Sequence, residues 1–180
     1  DAIATHIKEL GGKVFRSTID HDCGSNRVAE CVQDIDAEVV INVQGDEPFI
    51  AHSALADLIE AFKNDTHKTI DLASLMIPIT AQKELENSNV VKVVTDQQGR
   101  ALYFSRAPIP FMRTEGQAFR HVGIYAFRTA ALLDFYAQVP TPLERAEKIE
   151  GFRYLDLVNV MDLFVWYFIV LGWFWPVRSN

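Results

Sequence analysis

The chain has 180 residues, of which 49% are apolar, enough for one domain with a core, and length alone gives no reason for two. Asp and Glu number 24 against 17 Lys and Arg, a formal charge of -7; this excludes the diffuse basic surface that holds a nucleic-acid backbone, so no nucleic-acid polymer is expected as a partner. Cys23 and Cys31 form no C-x-x-C, so neither a disulfide scaffold nor a zinc cluster is suggested and a reducing cytoplasm is the expected setting.

The opening DAIATHIKELGG predicts a helix already under way. Ala2, Ile3, His6, Ile7 and Leu10 lie near one face, and Gly11 or Gly12 is a stop. No secretory-signal pattern is present. KVFRS, 13–17, predicts a short strand, and the polar loop DHDCGS precedes a helical run NRVAECVQDI. The β-branched run EVVINVQ, 38–44, suits a strand buried on both faces. HSALADLIEAFKND places Leu55, Leu58, Ile59 and Phe62 at i, i+3, i+4 and i+7, the clearest amphipathic helix in the chain. Strand-like DLASLMIPI and helical AQKELEN follow. This rhythm predicts an α/β fold, doubly wound around a mostly parallel sheet.

The second half reads as an antiparallel addition. VVKVVTD and RALYFSR are strands joined by QQG, with Gly99 available for positive φ. RHVGIYAFR predicts a further strand, TAALLDFYAQV a helix, and TPLERAEKIEGFRYL a second helix with Pro142 in its first turn. From Leu163 to Val177 the sequence LFVWYFIVLGWFWPV has no charge and carries all three Trp residues. It is short for a membrane span, which needs about 20 residues, and Gly172 and Pro176 disfavour a regular helix. Membrane association is therefore not favoured over a buried segment or a tail foreign to the domain. The expected division is an α/β domain over 1–155 and an apolar tail over 156–180.

Chemistry points to VINVQGDEPFI, 40–50, where a strand ends in a polar turn. Ligands of open parallel sheets gather beyond the carboxyl ends of strands, which selects Gln44, Gly45, Asp46 and Glu47. Gly45 permits close approach of a nucleotide, and Asp46 offers the hard oxygen that Mg2+ prefers. As bare residues, the same stretch is also an ordinary turn.

INVQGDEP, then PI, NVVKVV, ALYFSR, IP and RHVGIY in this order resemble CMP-Kdo synthetase, the 3-deoxy-manno-octulosonate (Kdo) cytidylyltransferases, from about Asp1 to about Tyr154. The resemblance implies a nucleotide-diphospho-sugar transferase fold and Mg2+ as cofactor. It further implies CTP and Kdo as substrates, a homodimer in the bacterial cytoplasm, and supply of CMP-Kdo for lipopolysaccharide. By the same resemblance Asp46 is the metal-binding carboxylate and Gln44 lies close to the sugar. DHDCGSNR is similar to the family loop near the cytosine ring, which makes Gly24, Ser25 and Arg27 nucleotide-binding candidates beside Gly45. Cys23, Ser25 and Asn26 there replace the family's Ser, Thr and acidic residue, and as a plain loop it would cap the next helix through Ser25 or Asn26. Arg106, Arg120, His121, Tyr125 and Glu144 match positions that look toward the sugar acid, whose carboxylate suits a guanidinium. Without the resemblance, His121 reads as structural and Glu144 as a helix-dipole partner.

The family's opening loop, P-A-R-x-x-S-[ST]-R-[LF]-P-G-K, and its later G-[VI]-D-T-P-E-D motif do not occur here. The expectation is therefore an incomplete domain that is catalytically silent by itself. Two rivals stand beside this reading: a cytidylyltransferase for another acidic sugar, and a non-catalytic association module.

Overall fold

The computed structural model describes residues 2–47, 49–156 and 161–165, with side chains in the last segment only at Met161 and Asp162. The opening helix, α1, spans Ala2–Glu9 and is closed by Gly11 at φ 78. The 13–17 segment forms no strand: none of the described strands pairs with it, so its short apolar pattern has no ladder to join. Next come α2 (Gly24–Val32), β1 (Val39–Val43), α3 (His52–Asn64), β2 (Leu72–Pro78) and α4 (Gln82–Glu86).

The hairpin strands are β3 (Lys92–Thr95) and β4 (Ala101–Ser105). Gly99 sits between them at φ 83, and the Asp96 carboxylate accepts from the Gln98 and Arg100 backbone amides. β5 (Phe119–Arg128) and α5 (Thr129–Tyr136) follow.

The sheet is mixed where a mostly parallel one was expected. β5 lies at its centre, antiparallel to β2 along one edge and to both β1 and β3 along the other, while β3 and β4 are antiparallel and β2 and β6 (Met161–Val165) parallel. β1, β2, β3 and β6 thus share one direction, as the β-α-β rhythm requires. The supposed addition, β5, runs against them and separates β1 from β2. Helices nevertheless cover both faces. Ala54, Leu58 and Phe62 of α3 pack on Ala73, Leu75, Ile77, Val122, Ile124 and Ala126. On the other face α2, α5 and the last helix contribute Ala29, Leu132, Phe135 and Phe152 against Leu72, Met76, Tyr125 and Phe127. Ala73 and Ala126 let α3 lie close, so its buried line is 54, 58 and 62 and Ile59 is left exposed.

β5 carries an irregularity that matters below. Ser74 pairs with Tyr125 but Leu75 pairs with Val122, so Gly123 and Ile124 are an extra pair of residues on β5. A slip of two preserves the alternation of faces, where a slip of one would reverse it. The Ser74 hydroxyl donates to the Ile124 carbonyl at 2.6 Å and so satisfies an acceptor that the ladder leaves over.

The single helix expected over 141–155 is two. Thr141 and Glu144 form a capping box on α6 (Pro142–Glu147), with Pro142 in the first turn. Lys148 then ends the helix at φ 55 and ψ 49. The last helix, α7, spans Gly151–Asp156, and a Cβ on Gly151 would come within 3.2 Å of Phe104 Cε2. That approach and the left-handed Lys148 together redirect the chain.

Past Leu155, α7 runs to Asp156 and β6 pairs in parallel with β2. No helix among the described residues is long and apolar enough to cross a membrane. Residues 166–180, most of the apolar run, lie outside the described residues.

A candidate active-site cleft at the end of β1

Beyond the carboxyl end of β1 lies a cleft of about 780 Å³, walled by the 22–24 loop, the 44–47 turn, β5, the 89–91 segment and the α6–α7 turn. Gln44, Asp46, Gly24, Arg106, Arg120, His121, Tyr125 and Glu144 all line it. Arg27 and Gly45 line an adjoining hollow of about 380 Å³ that shares Gly24 and Gln44 with the cleft. Ser25 lines neither and is buried beneath them.

Chain geometry makes the 44–47 turn. β1 has no further partner after Val43, and the Glu47 amide donates back to the Gln44 carbonyl at 3.1 Å. Asp46 and Glu47 then face the cleft. Gly45 does not have positive φ, and a Cβ built there meets no atom within 4 Å. The fold itself therefore places no demand for glycine at 45. Gly45→Ala is expected to leave the melting temperature unchanged or slightly higher, through the unfolded state, while reducing nucleotide affinity. Thermal melts beside calorimetric titration with CTP check this; unchanged affinity would remove Gly45 from the site.

Glu150, which sequence reasoning missed, joins the two sides of the cleft. Its carboxylate accepts from the Ser25 hydroxyl at 3.1 Å, the Ser25 amide at 3.3 Å and Gln44 Nε2 at 3.1 Å. Asn42 Nδ2 donates to the Ser25 hydroxyl at 3.1 Å from within the sheet. Neither Ser25 nor Asn26 caps α2. Ser25 serves this network, and Asn26 accepts from Arg153 at 3.0 Å. With its Nε2 engaged, Gln44 presents its carbonyl oxygen as the remaining acceptor.

The arginines are more committed than expected. Arg106 Nε donates to the Glu147 carbonyl at 2.6 Å, with Nη1 and Nη2 on the Ser88 and Lys148 carbonyls. It anchors the C-terminus of α6, where a cation also suits the helix dipole. Arg120 pairs with Glu84 at 3.0 Å. Glu144 is likewise occupied. Besides the capping box, its two oxygens accept from Arg153 at 2.8 and 2.5 Å, so its lone pairs serve the fold first.

His121 is buried, bonded through Nε2 to the Ser74 hydroxyl at 2.8 Å and packed edgewise on Phe104. Burial pushes its pKa down to about 3. It is a neutral wall of the cleft, bonded on one ring nitrogen to a hydroxyl that itself donates to the bulge of β5. Burial likewise pushes the Tyr125 hydroxyl well above its ordinary value. Cys23, which also lines the cleft, is held up to about 12 by burial and then by Glu150, which disfavours its thiolate.

Lys92 is fully buried, and its ammonium donates to the Asn87, Val90 and Arg106 carbonyls at 2.9, 2.6 and 2.5 Å. It clamps the 87–91 wall to the end of β4. Among the described residues no group of three or more His, Cys, Asp or Glu is placed to hold a metal. Asp46 and Glu47 instead offer the one or two carboxylates that Mg2+ takes from a protein when substrate phosphates and water complete its shell.

A sequence profile of the Cytidylyltransferase family matches residues 1–162. The chain is 50% identical over 159 residues to the 3-deoxy-manno-octulosonate cytidylyltransferase of Flavobacterium johnsoniae, covering 87% of this chain and 65% of that protein. It is 48% identical over 157 residues to the same enzyme of Christiangramia forsetii, covering 86% and 63%. The chain thus spans just under two thirds of the length of these relatives. The structure of CMP:2-keto-3-deoxy-manno-octonic acid synthetase complexed with CTP superposes with TM-score 0.84 at 31% identity, over 91% of this chain and 68% of that one. With the motif order, the two-faced sheet and the cleft beyond β1 all in agreement, the chain belongs to the cytidylyltransferase family.

Proposed function

We propose that this protein takes part in cytidylyl transfer from CTP to Kdo, giving CMP-Kdo and pyrophosphate. The observation that carries the reading is the acidic turn Asp46–Glu47 facing the same cleft as the Gln44–Glu150–Ser25 network. The relatives' names supply the substrates. The anomeric hydroxyl of the sugar attacks the α-phosphorus and pyrophosphate leaves, with no covalent protein intermediate.

Mg2+, held by Asp46 with Glu47 beside it, would supply neutralisation of phosphate charge and lower the pKa of the attacking hydroxyl. The chain's own residues position the reactants. Gln44 offers a fixed acceptor to a sugar hydroxyl, Gly24 and Gly45 leave space for the nucleotide, and Arg27 borders it. His121 and Tyr125 form an uncharged wall that keeps water away from the reacting groups. A homodimer, a cytoplasmic setting and supply of lipopolysaccharide synthesis belong to the same reading.

The test is calorimetric titration with CTP and Mg2+ beside pyrophosphate release with Kdo. Asp46→Asn is expected to lower Mg2+-dependent CTP affinity, and turnover where present, by more than about tenfold with the fold intact. A smaller loss would end the metal role of Asp46. Failure of the protein to bind CTP, or a preference for another acidic sugar, would overturn the reading as stated.

A further inference from the structure

Four Lys or Arg residues line the cleft: Arg106, Arg120, Arg145 and Lys148. Arg106 is spent on backbone carbonyls and Arg120 on Glu84. Among the described residues neither Arg145 nor Lys148 has an ion pair or a side-chain hydrogen bond, so these are the cations available to an incoming anion.

Lys148 is the more informative of the two. It ends α6 in the left-handed region at φ 55 and ψ 49, which glycine or asparagine adopts readily and other residues rarely. Its amide closes the helix on the Glu144 carbonyl at 2.8 Å, and its own carbonyl accepts from Arg106. Glycine would perform every one of these backbone duties with less strain. What lysine adds is the side chain, on an exposed residue that the cleft counts among its lining. An unfavourable backbone beside an unpaired charge at the border of a ligand cavity points to a ligand.

We infer that Lys148 binds the carboxylate of the acidic sugar; this rests on the reading of the cleft given above. The α6–α7 wall, unlike the acidic 44–47 turn where phosphates and metal would gather, carries unengaged positive charge. A sugar carboxylate is repelled by Asp46 and Glu47 and settles against a cation elsewhere in the cleft. An ammonium on a flexible stem suits this single contact.

The experiment compares the protein with its Lys148→Gly, Lys148→Asn and Lys148→Arg variants by thermal melts and by calorimetric titration with Kdo and, separately, with CTP and Mg2+. Lys148→Gly and Lys148→Asn are expected to melt at the same or a higher temperature and to bind Kdo roughly fivefold more weakly, a loss that shrinks with added salt. Lys148→Arg should retain affinity, and CTP affinity should stay within about twofold in every variant. Unchanged Kdo affinity in Lys148→Gly, or a loss that falls on CTP, would overturn the inference while the cytidylyl-transfer reading stands. A protein that binds neither ligand would remove both.

Discussion

Arg153→Met should cost about 3 to 5 kcal/mol of stability, the range for removing one partner of a buried charge pair. Arg153 is fully buried, makes two bonds to Glu144, donates to Asn26 at 3.0 Å and lies 4.3 Å over the Phe135 ring. Methionine keeps much of the packing but leaves the Glu144 carboxylate buried without its counter-charge. The pair also ties α6 and α7 to α2, so the loss should be accompanied by weakened ligand binding. Glu144→Leu together with Arg153→Met should recover most of the stability, short of the capping-box contribution of about 1 kcal/mol. Urea midpoints of the two single variants and the double variant measure this; a single-variant loss below about 1 kcal/mol would show that solvent reaches Glu144 in the folded state.

The second large effect is on acid stability. His121 has its pKa pushed from 6.5 down to about 3, so below pH 6.5 the unfolded chain binds a proton that the folded chain refuses. The stabilisation is complete above pH 6.5 and declines as pH falls, at up to about 1.4 kcal/mol per unit, until the folded ring itself protonates near the depressed value. Carboxylates held low in the folded state, such as Glu30 and Glu38, add their own losses only below about pH 4.5. From 6.5 to 4.5 the decline comes from the imidazole, while the Asp162 carboxyl, raised by burial, acts in the opposite sense. His121→Gln, which can still bond to Ser74, should flatten that part of the profile. Denaturant titrations at half-unit steps decide it; parallel profiles for the two proteins would mean that His121 is charged when folded.

Local periodicity located most elements, because helices and strands each bury one face of a regular pattern. The failures have physical causes. KVFRS has a strand's composition, but a strand exists only through a partner, and none of the described strands pairs with it. β5 was identified as a strand yet misplaced as an addition, because alternation reports burial and not which neighbours a strand acquires. The break at Lys148 was invisible since the residue that marks a left-handed helix end is ordinarily glycine. That break in turn hid Glu150, which within one continuous helix resembles any solvated acidic residue.

For the cleft, the turn ending β1 was legible because a β-branched run broken by Gly, Asp and Glu marks a strand end, although the same residues also suit an ordinary turn. The commitments of Arg106 and Glu144 were not, since a side chain's competing partners come from elements distant in sequence: Ser88 and Glu147 for one, Arg153 for the other.

The extra pair of residues on β5 also constrains how this strand can vary in length. Gly123 lies in it, and His121, Gly123 and Tyr125 share the face that lines the cleft, while Val122 and Ile124 share the face under α3. Gains or losses of two residues at this point conserve that division, whereas a change of one would turn cleft residues beneath the helix and send aliphatic side chains into the cleft. Length variation here is therefore quantised in even steps, and an odd indel among homologous chains should appear only with a compensating one on the same strand.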